Sequence, residues 1–239
     1  MMSLLAFLNP SEVNALLLSA LTSVGVALLC LPPGIAVAWL LARRQFFGKT
    51  LLDTAVHLPL VLPPVVVGYA LLAVLGRNGV VGSALRTMGI EVAFTPWAVV
   101  IAGAVMAFPL LVRSARLAFE AVDPNLEDAA RTLGKSALAT WWRVSLPLAT
   151  PGIAAGTLLC FARALGEFGA TITFAGNIEG STRTLPLLIF TELQSPGGEL
   201  RVGRLVAISV VIALVALVLS ERGARKLRGQ QAHRSRGTS

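Results

Sequence analysis

The sequence predicts an all-α, polytopic membrane protein. Of its 239 residues, 55% are hydrophobic and only 13% are charged, a composition typical of membrane proteins. Several stretches without charged residues reach about 20 residues, the length that a helix needs to cross a hydrocarbon core of about 30 Å. A soluble fold would have to bury these helices on all sides, and a chain of this size leaves too few residues to cover them.

Five apolar stretches have the length of transmembrane helices, and each is too long for a core strand. They are residues 13–42, 51–76, 97–119, 151–175 and 202–220. We detect no internal repeat and no low-complexity linker. The sequence therefore predicts one membrane domain over residues 1–239, with about five spans.

Prolines interrupt the first three predicted spans. They are Pro32 and Pro33, then Pro59, Pro63 and Pro64, and then Pro109. Proline removes a backbone donor and clashes with the preceding turn, so we expect these helices to be kinked or broken. Two interpretations stay open: neighbouring helices satisfy the freed carbonyls, or the kinks let the helices bend around a translocation pathway.

The charged residues divide unequally between the two predicted faces of the membrane. The basic residues of the first face are Arg43, Arg44, Lys49, Arg113, Arg116, Arg131, Lys135, Arg143, Arg222, Arg225, Lys226, Arg228, Arg234 and Arg236. The second face has Arg77, Arg86, Arg183, Arg201 and Arg204, offset by Glu12, Glu91, Glu179, Glu192 and Glu199. Basic residues favour the cytoplasmic side, which predicts an outer N-terminus and a cytoplasmic C-terminus.

The net charge of +8 does not call for a nucleic-acid partner. The basic tail, residues 221–239, is expected to lie in the cytoplasm against anionic membrane lipid. Cys30 and Cys160 lie inside apolar spans without the spacing of metal ligands, so we interpret them as small core residues. The sequence thus predicts no metal site.

Two connecting segments are long. The outer one, residues 175–201, is rich in glycine and proline and holds a short apolar segment, Leu185 to Leu193, which is expected to dip into the membrane or lie on its surface. A soluble partner could dock there. The cytoplasmic segment, residues 120–150, is expected to be helical.

A capped helix is predicted within this cytoplasmic segment. Asp123 can cap it, Pro124 suits its first position, and Glu127 lies in its first turn, where negative charge complements the helix dipole. Gly134 then ends the helix. Such a helix either packs only on its own protein or offers a small face to another protein surface.

The spacing of this segment resembles the coupling-loop signature of permeases of bacterial ATP-binding-cassette (ABC) importers: Glu-Ala-Ala, three residues, Gly, nine residues, an aliphatic residue, one residue, Leu-Pro. The residues that match in register are Asp128, Ala129, Ala130, Gly134, Val144, Leu146 and Pro147. The chain departs from the signature at Asp128, where the family has Glu, and the adjacent Glu127 is expected to keep the local charge.

The resemblance implies that this helix couples the permease to a separate ATPase subunit. ATP and Mg would then be used by that partner, and this chain would bind no cofactor and would not be an enzyme. Consistent with this, the sequence has no complete phosphate-binding loop of the form Gly-x-x-x-x-Gly-Lys-Ser/Thr and no convincing catalytic triad, since His57 lacks an obvious partner.

A second stretch contains charges at membrane depth. Arg163 and Glu167 are four residues apart on one helix face, where an isolated charge costs at least about 2.5 kcal/mol. We expect them to pair, either as a structural ion pair or as a gate along the pathway. Thr171 and Thr173 are candidate hydrogen-bond donors to a translocated oxyanion, as are Ser181 and Thr182.

Residues 161–177, 182–186 and 195–199 resemble the molybdate permease branch of this family. The resemblance implies a homodimer of type I importer permeases with two ABC ATPase subunits. It also implies a periplasmic or lipid-anchored oxyanion-binding protein and a location in the bacterial inner membrane. Molybdate is the expected substrate, with sulfate or tungstate as alternatives. An ATP-independent channel or carrier normally has inverted repeats or a polar ring, and the sequence shows neither.

Overall fold

The computed structural model describes residues 9–215 and 218, and over these residues the regular structure is helical. The helices are α1 (Pro10–Arg43), α2 (Lys49–His57), a 3₁₀ turn (Leu58–Leu60), α3 (Pro64–Leu75), α4 (Val80–Thr87), α5 (Pro96–Glu120), α6 (Pro124–Thr132), α7 (Ala137–Thr140), a π-helical turn (Trp141–Ser145), α8 (Leu146–Leu165), α9 (Gly169–Phe174), α10 (Leu185–Leu193) and α11 (199–215). The end of the predicted span 202–220, apart from residue 218, and the basic tail 221–239 lie outside the described residues.

Within the described residues, three helices are long and apolar enough to cross a membrane: α1, α5 and the continuous unit Ala137–Leu165. Both α1 and α5 continue through the prolines inside them. The third unit begins within the predicted loop 120–150, so the last part of that segment is the start of a long helix.

The predicted span 51–76 is broken. The segments Lys49–Leu60 and Pro64–Leu75 meet at an angle of 112°, and the break, residues 61–63, ends with Pro63 directly before Pro64. These two residues lack N–H donors and favour an extended residue before them, so the first helix cannot continue through them. If the bent pair counts as one span, the described residues hold up to four.

The predicted span 151–175 is also in two pieces. α8 ends at Leu165, and α9 starts at Gly169 after the break at Gly166, Glu167 and Phe168. We predicted one uninterrupted helix here because apolar residues lie on both sides of the break and the pair Arg163 and Glu167 has helical spacing.

The three long units pack against one another in the core. A buried cluster of Leu41, Val112, Phe119 and Ile153 joins them at one end. Close approach of α5 and α8 depends on glycine, because a methyl group at Gly152 would lie 2.3 Å from Cβ of Ala118. Such small contacts are typical of helix packing in membranes.

The ion pairs follow the division of charges that the sequence suggests. The outer set pairs within itself, as Arg77–Glu91, Arg183–Glu179, Arg201–Glu192 and Arg204–Glu12. The predicted cytoplasmic set does the same, as Arg43–Glu127, Arg116–Asp53, Arg116–Glu120 and Arg131–Asp128. This separation agrees with two polar ends joined by apolar helices, whereas the direction of the chain across the membrane stays a prediction.

Candidate functional site

Helix α6 has the caps that its sequence predicts. The Asp123 carboxylate accepts the N–H of Asn125 at 2.9 Å, and Pro124 occupies the first helical position. At the other end Gly134 has φ of +79°. Its N–H donates to the backbone carbonyl of Arg131, and the N–H of Lys135 donates to the backbone carbonyl of Ala130. This is a Schellman motif, which requires the left-handed backbone that glycine adopts most readily.

Helix α6 lies on the surface of the protein and has no buried residue. Its Leu126 and the following Leu133 are 49% and 81% exposed. Ala129 is exposed and Ala130 half-buried. The helix and its end therefore present small and apolar side chains that another protein surface could cover.

Glu127 and Asp128 are adjacent in sequence but have different surroundings. Glu127 Oε1 accepts the Ser145 hydroxyl at 2.7 Å and lies 3.1 Å from Nη2 of Arg43. Asp128 is 68% exposed and lies 3.4 Å from Arg131. Because Glu127 is paired with Arg43, the carboxylate available on the exposed face is that of Asp128. We expected Glu127 to supply negative charge beside Asp128, but in the structure its charge faces Arg43 instead.

The last three residues of the signature lie at the start of the long unit Ala137–Leu165. Val144 falls in the π-helical turn, and Leu146 and Pro147 open α8. The wide turn has a physical cause, since Pro147 cannot donate to the carbonyl four residues earlier and its ring crowds that carbonyl. Leu146 packs against the core cluster around Phe119, so this part of the signature joins the surface segment to the core.

Arg163 and Glu167 form the predicted pair, with Nη1 of Arg163 2.7 Å from Oε2 of Glu167. Their exposure differs, at 30% for the arginine side chain and 3% for the glutamate. Glu167 Oε1 also accepts the N–H of Ala170 at 2.9 Å. Glu167, which precedes the N-cap residue Phe168, therefore satisfies a backbone N–H in the first turn of α9, a structural role that the sequence did not suggest.

The threonines predicted as donors lie on and after α9. Thr171 is 1% exposed, and the Thr173 hydroxyl donates to the Gly169 carbonyl at 2.9 Å. Thr182 is fully buried and accepts the N–H of Ile178 at 3.0 Å, and Ser181 is half-buried. In this conformation Thr171 and Thr173 do not present free donors to an open pathway.

The structure also brings together residues that sequence reasoning missed. Arg43 and Ser145 meet at Glu127, although neither belongs to the signature. His57 has a partner after all, because its Nδ1 lies 3.1 Å from Asp53 Oδ1. The i,i+4 spacing of Asp53 and His57 on one helix could have revealed this contact, whereas the meeting of Arg43 with Glu127 depends on the tertiary fold.

The described residues contain no group of three or more His, Cys, Asp or Glu side chains that could hold a metal ion. Cys30 and Cys160 are both buried in the same core cluster, with Val26 and Leu111 among its members. They are core residues, as expected.

Comparison with known proteins gives a consistent result. The family model described as "binding-protein-dependent transport system inner membrane component" matches residues 34–224. The chain is 53% identical to the molybdenum transport system permease protein ModB of Escherichia coli K12, over 91% of this chain and 96% of that protein. It is 36% identical to the sulfate transport system permease protein CysT of Salmonella typhimurium, over 82% and 72% of the two chains.

Among solved structures, the fold is similar to that of a bacterial ABC transporter involved in the import of the acidic polysaccharide alginate. The TM-score is 0.70, at 18% sequence identity, and the match covers 94% of this chain and 82% of that one. The expected all-α permease fold, the resemblance to molybdate permeases and a multi-pass location in the inner membrane are confirmed. The chain belongs to the family of binding-protein-dependent transport system inner membrane components.

Proposed function

We propose that this chain is the translocating subunit of an ATP-driven importer of molybdate. The observation that carries the proposal is the exposed, capped helix α6, which ends at Gly134 in a left-handed turn. It stands at the same end of the molecule as the predicted cytoplasmic basic residues. A helix without buried residues, with the exposed Leu126 on it and the exposed Leu133 after it, is suited to contact a partner protein.

The proposed partner at this surface is an ABC ATPase subunit. The contact residues would be Asp128, Ala129, Ala130 and Gly134, and the rest of the signature, Val144, Leu146 and Pro147, would join this surface to the core. ATP and Mg would bind the ATPase, and this chain would carry the resulting displacement into its long helices. Short connections join α6 to α5 before it and to the unit Ala137–Leu165 after it, and this supports such transmission.

The proposed assembly is twofold. One chain offers one coupling helix, so a homodimer of permeases would carry two ATPase subunits. An oxyanion-binding protein would deliver substrate to the outer face, at the exposed residues of the connecting segment 175–201; α10 within it is largely buried, with Leu185 and Leu188 packed against Ala15 and Leu205. The pathway would run near α9, with Arg163, Glu167, Thr171 and Thr173 as candidate pathway or gate residues.

Molybdate is favoured over sulfate by similarity. Identity to the Escherichia coli molybdenum permease is higher and covers more of both chains than identity to the sulfate permease of Salmonella typhimurium. Tungstate is a further alternative, because it is a tetrahedral dianion like molybdate and would meet the same donors. The residues of the permease do not by themselves separate these anions.

The test is ATP hydrolysis by the complex reconstituted with its ATPase and binding-protein partners. Stimulation by molybdate is compared with stimulation by tungstate and sulfate, and a Gly134→Val variant serves as the uncoupled control. Stimulation by molybdate that the control loses supports the proposal. Stimulation by sulfate alone overturns the substrate and keeps the mechanism, and failure to associate with any ATPase removes the importer function.

A further inference from the structure

Arg43 lies where four segments of the chain meet. Its Nη2 donates to the Val122 carbonyl at 2.7 Å and lies 3.1 Å from Glu127 Oε1. The same oxygen of Glu127 accepts the hydroxyl of Ser145 at 2.7 Å. Arg43 ends α1, Val122 lies in the turn before α6, Glu127 belongs to α6, and Ser145 ends the π-helical turn. We call these four residues the Arg43 cluster.

The Arg43 cluster is protected from solvent. The side chains of Arg43 and Glu127 are 16% and 12% exposed, whereas those of Arg131 and Asp128 on the solvent-facing side of α6 are 54% and 68% exposed. Water and salt screen the exposed pair far more strongly. Arg131 and Asp128 both belong to α6, so of these two pairs only Arg43–Glu127 attaches α6 to another segment. A protein that docks on the exposed face of α6 meets Asp128 rather than Glu127.

The Arg43 cluster joins α6 to α1, a helix that is distant from it in the sequence. α5 and the unit Ala137–Leu165 are linked to α6 through short stretches of chain, but Arg43 and Val122 are 79 residues apart in sequence. A cavity of about 760 Å³ lies between the end of α1 and α6, lined by Trp39 and Leu40 on one side and by Pro124 on the other. Apolar packing does not fill this space, so the polar contacts of Arg43 bridge it.

We propose that Arg43 is a positioning residue that passes displacement of α6 into α1, and that Glu127 acts inward on Arg43 rather than outward on the ATPase. The proposal rests on the proposed function. If α6 moves when the ATPase closes, α1 either follows it or leaves the mostly buried Glu127 carboxylate without its cation, which is unfavourable. A guanidinium suits this task because it stays charged and donates in fixed directions to both acceptors.

The experiment uses the reconstituted complex with Arg43→Gln and measures molybdate uptake per ATP hydrolysed. We expect this ratio to fall about tenfold, within the range of coupling energies carried by such contacts. The amount of ATPase that copurifies should stay within about twofold of the parent, because the outward face of α6 is unchanged. Arg43→Lys should retain most of the ratio, since it keeps a charged donor.

The matched control is Arg116→Gln, which also removes an arginine from an ion pair, in this case with the carboxylates of Asp53 and Glu120. Arg116 has no bond to α6, so its loss should leave uptake per ATP unchanged. The double variant Arg43→Gln with Glu127→Gln should be no worse than Arg43→Gln alone, because the two residues act on the same connection.

An unchanged uptake ratio in Arg43→Gln would overturn the proposal. So would loss of the ATPase subunit from this variant, since Arg43 would then contact the partner directly. A purely structural role predicts lower thermal stability with an unchanged ratio, and that result also contradicts the proposal. If the parent complex takes up no molybdate with ATP, the proposed function itself has failed, and the parent measurement shows this independently of the variants.

Discussion

Gly68 in α3 packs directly against the backbone of Ala170 in α9. A methyl group at position 68 would lie 2.6 Å from the Ala170 carbonyl oxygen and 2.8 Å from its Cα. Gly169 makes a similar approach to Pro64. Helix α3, which follows the break at Pro63, thus packs against α9, which follows the break at Glu167. The two breaks therefore lie close together in the fold.

Gly68→Ala should destabilise the protein by about 1–3 kcal/mol, because the added methyl meets backbone atoms that cannot rotate away. The measurement is the midpoint of thermal unfolding in detergent. Gly203→Ala is the control, since Gly203 also lies in a helix but has no atom within 4 Å of an added methyl. An equal fall in both midpoints would show that α3 and α9 do not pack as described.

Gly134→Val should impair coupling to the ATPase. Gly134 has φ of +79° with open space around it, so the cost is backbone strain of about 1–2 kcal/mol rather than a clash. We expect about tenfold less ATPase to copurify, and Gly134→Asn, which tolerates the left-handed region better, should lose less.

Gly89→Val controls for the strain itself. Gly89 has φ of +76° and equally open space, at the end of a helix far from the signature in sequence. If Gly89→Val releases the ATPase as strongly as Gly134→Val, the effect is one of general stability and the coupling role of α6 loses its support.

The sequence predicted the parts of this fold that depend on local rules. Hydropathy located α1 and α5 to within a few residues, and the caps Asp123 and Gly134 predicted α6 because they act on their own helix. The breaks were harder to place. Pro63 and Pro64 suggested the first, but hydropathy did not reveal the second, because apolar residues continue on both sides of Gly166, Glu167 and Phe168. The contact of Glu167 with the N–H of Ala170 there becomes visible only in the structure.

The sequence located candidate residues where their spacing places them on one helix, as for Arg163 and Glu167, and the role of these candidates stays a prediction. Asp128, Ala129, Ala130 and Gly134 follow a fixed spacing, so their helix could be identified. Arg43 looked like one of many cytoplasmic arginines, because its bond to Val122 spans 79 residues. Contacts of this kind depend on how the long helices cross, which hydropathy does not determine.

Thr171→Val with Thr173→Val tests the pathway role of α9. The change removes both hydroxyls at nearly constant volume. If they donate to the oxyanion in another conformation, each lost hydrogen bond of about 1 kcal/mol slows uptake about fivefold. Initial uptake of radiolabelled molybdate is the measurement.

Thr157→Val is the matched control for these hydroxyls. Thr157 donates to the Ile153 carbonyl at 2.9 Å within α8, as Thr173 does to Gly169 within α9. Uptake at the parent rate in the double variant would remove Thr171 and Thr173 from the pathway. Equal slowing by Thr157→Val would assign the effect to helix structure.

Arg163 and Glu167 should respond unequally to mutation. Arg163→Met leaves the Glu167 carboxylate, which is 3% exposed, without its cation, and breaking a buried pair in this way costs about 3–5 kcal/mol. Glu167→Gln leaves Arg163, whose side chain is 30% exposed and can extend toward water. The amide oxygen of glutamine still accepts from Ala170, so this change isolates the charge. Thermal unfolding should therefore show the larger loss for Arg163→Met.

The double variant Arg163→Met with Glu167→Gln separates the two interpretations of this pair. Removing both charges should restore much of the stability lost in Arg163→Met, because no unpaired carboxylate stays buried. If the pair only fixes helix packing, uptake recovers together with stability. If the pair is a gate, the double variant is stable and its uptake stays low or becomes independent of ATP. Parallel measurements of unfolding and uptake on the same preparation decide between a structural ion pair and a gate.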